Sequence, residues 1–170
     1  MKIGLISDTH DNIPTCNKLM PYFLDEQIEV LIHCGDIISP FMKRVFVPLY
    51  DKGVKMYGVL GNNDGEKSGL MEILGSIMDL TPDFYELELD NKYFLVVHHL
   101  PESLIQSLAS SNKFDYIVKG HLHEKRNEKM GKARIINPGE ACGYLSGTAS
   151  IAILDTELDS VTYFDVPVEM

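Results

Sequence analysis

The chain has 170 residues, 45% of them hydrophobic, which is enough for one sizeable core and too few for two ordinary domains, so a single domain over residues 1–170 is expected. Its 15 basic side chains face 25 acidic ones, a formal net charge of −10, which argues against general nucleic-acid binding because phosphate contacts carry most of that affinity. Three scattered cysteines without a C-x-x-C pair argue against a disulfide framework, and with no charged-then-apolar leader and no apolar run of membrane-spanning length the chain reads as a soluble cytoplasmic protein with no membrane partner.

In chain order, Ile3 to Ile6 is a short apolar run that reads as a buried strand, and it breaks into Ser7-Asp8-Thr9-His10-Asp11-Asn12. Ile13, Cys16, Leu19, Met20, Phe23 and Leu24 then recur at helical spacing, with Asn12 placed to cap and Pro14 tolerable in the first turn. Val30 to Ile32 reads as a strand ending in His33-Cys34-Gly35-Asp36. Ser39-Pro40 reads as the cap and first residue of a helix in which Phe41, Val45 and Leu49 continue the period and which Pro48 ends or bends. A third buried run, Val54 to Leu60, terminates in Gly61-Asn62-Asn63-Asp64, followed by a short helix carrying Leu70, Met71, Ile73 and Leu74.

Beyond Pro82 the texture changes. Tyr85, Leu87 and Leu89 alternate with Glu86, Glu88 and Asp90, then Asn91-Lys92 turns the chain into Tyr93 to Val97. That alternation predicts an antiparallel hairpin with one wet face. It runs into His98-His99, a helix from Pro101 to Ser110 with Leu104, Ile105 and Leu108 inward, and a strand Tyr116 to Val118 ending in Gly120-His121-Leu122-His123. The basic stretch Lys125 to Arg134 reads as a solvated hairpin. Arg134 to Ile136, Ser150 to Leu154 and Val161 to Val166 close the chain as strands, with Asn137-Pro138-Gly139 a turn near the strand ends. Strand–helix alternation in the first half suggests parallel pairing and the second half is rich in hairpins, which mixed sheets packed on each other with helices outside would satisfy.

The chemistry lies at the strand ends. Five apolar strands each finish in metal-capable residues: Asp8 and His10, Asp36, Asn62, His98 or His99, and His121 with His123. In three cases a glycine stands immediately before the donor, where it allows a tight turn and close backbone approach. Ligands in open sheets sit beyond the carboxyl ends of strands. Two carboxylates, one amide and four imidazoles exceed what one tetrahedral ion needs. They match two ions sharing a carboxylate, with Asp36 as the natural bridge, and mixed oxygen and nitrogen donors suit Mn, Ni, Fe or Zn better than Ca or Mg.

The ordered string D-x-H (Asp8, His10), G-D (Gly35-Asp36), G-N-x-D (Gly61 to Asp64), a lone His after a strand, and G-H-x-H (Gly120 to His123) resembles the calcineurin-like metallophosphoesterase superfamily. Chain length and Gly61-Asn62-Asn63-Asp64 look most like its small bacterial and archaeal YfcE-type phosphodiesterases. The resemblance implies an α/β (α+β mixed) fold, a four-layer αββα sandwich of two mixed β-sheets flanked by helices. It implies that Asp8, His10, Asp36 and His123 hold one divalent ion and that Asp36, Asn62, His98 and His121 hold the other, with a bridging water as nucleophile toward a small phosphodiester substrate. A phosphomonoesterase with the same site, or a non-catalytic protein-interaction scaffold like the retromer subunit of this fold, are the rival expectations, and the hairpin region could support a homodimer.

Two departures from the family pattern bear on catalysis. Many members carry His after the Asn of G-N-x-[DE], whereas this chain has Asn63, an amide that can hydrogen-bond a phosphate oxygen but cannot deliver a proton at neutral pH. Where the family shows His then Gly, this chain has His98-His99. Neighbouring strand residues face opposite ways, so one of the two is a ligand, and the family register favours His98, leaving His99 at the rim as a substrate contact or proton donor. Outside that set, His33 reads as a hydrogen-bonded structural histidine, Cys34 as a small buried hydrophobe, and Asp64 as either the brace of the Asn62 loop or a plain turn residue.

Overall fold

Apolar runs at strand spacing, joined by helices that each bury one face, settle into four layers. The computed structural model describes residues 1–168. In chain order it contains β1 (Lys2–Ile6), α1 (Ile13–Asp25), β2 (Val30–His33), α2 (Lys43–Tyr50), β3 (Lys55–Val59), α3 (Lys67–Ile73), β4 (Asp79–Thr81), β5 (Phe84–Leu89), β6 (Lys92–Val97), α4 (Glu102–Ser110), β7 (Tyr116–Val118), β8 (Lys125–Met130), β9 (Ala133–Pro138), β10 (Thr148–Asp155) and β11 (Ser160–Pro167).

One sheet has the order β11-β10-β1-β2-β3-β4 and the other β5-β6-β7-β9-β8. Both are mixed: β1 through β4 run parallel, as do β6, β7 and β9, while β10 pairs antiparallel with β1 and β11, β5 with β6, and β8 with β9. The layers follow from side-chain alternation. On β1, Ile3 and Leu5 enter the core between the sheets with Phe94, Val96, Val118 and Leu154, while Ile6 faces the core shared with α1 and α2. A third core lies between the second sheet and α4, built on Leu95, Val97, Ile105, Phe114 and Ile117. Three cores between four layers make the αββα sandwich. Among the described residues no helix is long and apolar enough to cross a membrane.

Local chemistry explains most element boundaries. Asn12 caps α1 by accepting from the Thr15 amide, and Pro14 sits in the first turn, where its missing N–H costs nothing. The β5–β6 turn falls on Asp90 and Asn91, both in the left-handed region, one residue earlier than expected; Lys92 already pairs with Leu89. Pro48 does not end α2, which runs to Tyr50. The carbonyl it leaves without a helical donor belongs to exposed Arg44, so water can satisfy it. Leu104 was expected inside and lies outside, and Phe41 (74% exposed), Met71 and Ile73 are exposed as well. Each sits on an apolar helical spacing whose neighbours alone reach a core. The strand β4, only three residues long at a sheet edge, has no counterpart in the sequence reading.

The basic stretch is a hairpin, β8 with β9. Its cations are spent on the protein itself: Lys125 on Asp165, Arg126 bidentate on Glu102 and also on Glu128, Lys129 and Arg134 on Asp159, and Lys132 on Asp115.

Candidate metal centre

The parallel strands place their carboxyl ends on one rim, where loops from both sheets interlock. The Asp8 amide donates to the Gly35 carbonyl and the His10 amide to the Asp36 carbonyl. The second sheet is tied in by the His121 amide, which donates to Asp8 Oδ2 at 3.1 Å. The glycines permit this closeness: a Cβ on Gly61 would collide with the Asp36 carboxylate, and one on Gly120 with the Ser7 hydroxyl.

The strain is concentrated in the same loops. Asp8, His10, Asp36, His121 and His123 all have positive φ, between 41° and 73°. For residues with a Cβ such conformations cost on the order of 1–3 kcal/mol each and persist only where the surroundings over-determine them. Asp64 supplies much of that determination. Its carboxylate accepts from the amides of Asp36 at 3.0 Å, Gly61 at 2.6 Å and Ile38 at 2.6 Å, so it braces the loops of β2 and β3 together rather than merely turning the chain.

Lone pairs then converge. Asp8 is fully buried, and with Oδ2 anchored its Oδ1 has no hydrogen-bond partner. His10 Nε2 likewise has none, and lies 3.4 Å from Asp36 Oδ2 and 3.8 Å from Asp8 Oδ1. His123 Nε2 is 3.4 Å from Asp8 Oδ1. On the other side His98 Nε2 lies 3.4 Å from the same Asp36 Oδ2 and 2.9 Å from Asn62 Oδ1, and His121 Nδ1 is 2.8 Å from that amide oxygen. Asp36 Oδ2 is therefore shared by two donor groups. His98 is buried and turned inward while His99 is exposed and its ring packs on His121, as strand alternation requires.

Two of the imidazoles have their tautomers fixed from behind. His98 Nδ1 donates to the Cys34 carbonyl at 2.8 Å, and His123 Nδ1 donates to Glu140 Oε2 at 2.9 Å, so each ring aims the lone pair of Nε2 into the cluster. Facing lone pairs repel unless a cation lies between them. The acidity of the site says the same. Asp8, with Asp36 behind it, raises His10; burial opposes charging His98, but Asp36 outweighs it and raises that ring too. Burial disfavours the Asp36 carboxylate, yet the His98 ring beside it and the hydrogen bonds from Asn63 hold its pKa well below the usual range. Buried, unpaired, ionised donors of mixed oxygen and nitrogen type fit divalent metal ions.

Residues around the donors have definable tasks. His33 Nδ1 accepts from the Gly35 amide, which leaves its Nε2–H to donate to Thr9; Thr9 in turn donates to the Asp36 carbonyl. Burial drops His33 to about 3, so it is a neutral structural brace. Asn63 donates through both its amide and its side chain to Asp36. Cys142 lies within ligand range of His10 and His123, but burial pushes its thiol up to about 12 and it donates to Glu140 instead.

Glu140 is the residue the sequence reading missed. Its buried carboxylate accepts from His123, Cys142 and the amides of Leu145 and Ser146. Burial opposes its ionisation, but His123 and Ser146 hold it down to about 2. A signal was present: Gly139-Glu140 follows the end of β9 as Gly35-Asp36 follows β2.

Comparison with known proteins points the same way. Residues 1–159 match the family model of the calcineurin-like phosphoesterase superfamily domain. The chain is 41% identical over 159 residues to Phosphodiesterase MJ0936 of Methanocaldococcus jannaschii, covering 92% of this chain and 94% of that one. It is 25% identical over 175 residues to Phosphodiesterase YfcE of Escherichia coli, covering 95% and 91%. A solved structure described as a novel archaeal phosphodiesterase superposes with a TM-score of 0.89 at 38% identity, over 98% of this chain and 100% of that one. Vps29 of Entamoeba histolytica, solved with zinc, shares the fold with a TM-score of 0.70 at 16% identity, over 98% and 99% of the two chains.

Proposed function

Because the chain belongs to the calcineurin-like phosphoesterase superfamily, a family of metal-dependent phosphoesterases, we propose that it is a dinuclear phosphodiesterase acting on a small phosphodiester. The observation that carries the reading is the shared Asp36 Oδ2, equidistant at 3.4 Å from His10 Nε2 and His98 Nε2. Asp8, His10, Asp36 and His123 would hold one ion, and Asp36, Asn62, His98 and His121 the other, with Mn, Ni, Fe or Zn suiting the donors. Ions bound there would supply polarisation of the phosphoryl oxygens and a water of lowered pKa.

The chain's own residues orient and restrain. Glu140 and the Cys34 carbonyl fix the His123 and His98 rings, Asp64 fixes the loops of Asp36 and Asn62, and Asn63 steadies the carboxylate that both ions would share. Neither Asn63 nor His99, the two groups that depart from the family pattern, is a ready proton donor at neutral pH. Asn63 is an amide, and burial, with Lys119 and His98 adding to it, lowers His99 from its ordinary value and keeps it neutral. The enzyme therefore favours substrates whose leaving group needs no protonation. Three free, buried cysteines suit a cytoplasmic setting.

The test is hydrolysis of bis-p-nitrophenyl phosphate by the purified protein supplied with Mn²⁺ or Ni²⁺, abolished by a chelator. Absence of turnover with any divalent metal would leave the scaffold role, which the fold shared with Vps29 permits.

A further inference from the structure

The two sheets are covered unequally. Helices α1, α2 and α3 pack on the first, whereas α4 alone packs on the second, where it covers Leu95 and Val97 of β6 and leaves Phe84 and Glu86 of β5 exposed. Register puts Phe84 opposite Val97 and Glu86 opposite Leu95 on that face. There a cleft of about 560 Å³ opens, floored by Leu95, Val97 and Phe114 and reaching Asn62, His98 and His99 at its inner end. Strand alternation explains the junction. His99 continues the outward row of Leu95 and Val97 into the cleft, while His98 turns inward to the donors, so one peptide unit separates the two environments.

We propose that this cleft is the subsite for one ester group of the phosphodiester, and that it selects an uncharged aromatic group, an aryl ring or a nucleobase. The inference rests on the phosphodiesterase reading and names its substrate class. Three observations carry it. The volume lies in the range of small-ligand pockets and far exceeds what a methyl or ethyl ester would fill. The lining is mostly apolar, and at its rim Glu86 is already neutralised by Lys113 at 2.6 Å while Lys67 and Asp83 bring one charge of each sign. Two exposed rings, Phe84 and His99, line it and can stack on a flat group.

The experiment measures binding of phenylphosphonate and methylphosphonate to the Mn²⁺-loaded protein by calorimetry, alongside turnover of bis-p-nitrophenyl phosphate. The two ligands present the same anion and differ only in the group the cleft would take. The expected result is at least a tenfold preference for the phenyl compound in the wild type, falling to within about twofold of unity in Phe84→Ala and in Leu100→Ala, both changes at partly exposed lining residues. Turnover without a phenyl preference, or a preference that both variants retain in full, overturns the subsite while the phosphodiesterase reading stands. Absence of turnover with every divalent metal overturns that reading and the subsite with it.

Discussion

The two halves of the donor cluster are built from the same loops but not to the same specification. The half around Asp8 has a fully buried carboxylate, unpartnered atoms on Asp8 and His10, and a further buried carboxylate, Glu140, behind His123. The half around Asn62 offers a neutral amide on an exposed residue, a ring backed by a backbone carbonyl, and His121 on the rim. Charge and burial decide how tightly a divalent cation is held. On the proposed assignment the first half therefore binds the tighter ion, and the second holds an exchangeable one nearer the substrate cleft.

The comparison breaks first at Asp36, the one group both halves share. Asp36→Asn is expected to lower turnover at least 10³-fold and to weaken both ions together, as read by metal content after dialysis. Asn62→Ala should weaken one ion only, about 10–100-fold, with activity restored by excess metal; loss of both ions from this variant would show that the halves are not distinct.

Glu140→Gln sharpens the contrast from the other side. It should weaken the tighter ion about 10–100-fold, because His123 loses the acceptor that fixes its ring. In metal-free protein the same change has a pH signature. A carboxylate held at about 2 in the folded state, against 4.5 ordinarily, contributes stability that is present above pH 4.5 and is lost as pH falls toward 2. The variant should thus be less stable by about 1–3 kcal/mol at pH 7, with the gap closing between pH 4.5 and 2 in denaturant titrations. A gap that widens in acid contradicts the assignment.

The smallest effect concerns proton supply. With Asn63 and a neutral His99 at the rim, rates across aryl and alkyl diesters should fall steeply as leaving-group pKa rises, and Asn63→His should flatten the dependence. A flat wild-type dependence would mean that another group donates the proton.

Much of this was legible from sequence because the fold puts function where periodicity changes. Each of the strands β1, β2, β3, β6 and β7 announces itself as an apolar run, and each ends in a candidate donor, so reading the strands led to the residues that the fold brings together. What periodicity cannot show is what covers a face. Phe41, Met71, Ile73 and Leu104 lie on apolar spacings that no neighbouring layer reaches. Glu86 sits on the face expected to be simply wet, and that face is a wall of the cleft because Leu95 and Val97 are its neighbours across the register and in sequence. Glu140 was hidden by its company: Asn137-Pro138-Gly139 reads as turn chemistry, and only the tertiary contact with His123 shows that a sixth strand end, that of β9, also serves the site.

The central claim is that one carboxylate joins two unequal metal sites, and counting ions in the wild type and in His98→Ala tests it most directly. Titration of metal-free wild type with Mn²⁺ should show two ions per chain of different affinity, and His98→Ala should retain one, the tighter. A wild type that saturates at a single ion, or a His98→Ala protein that still binds two, would contradict the account.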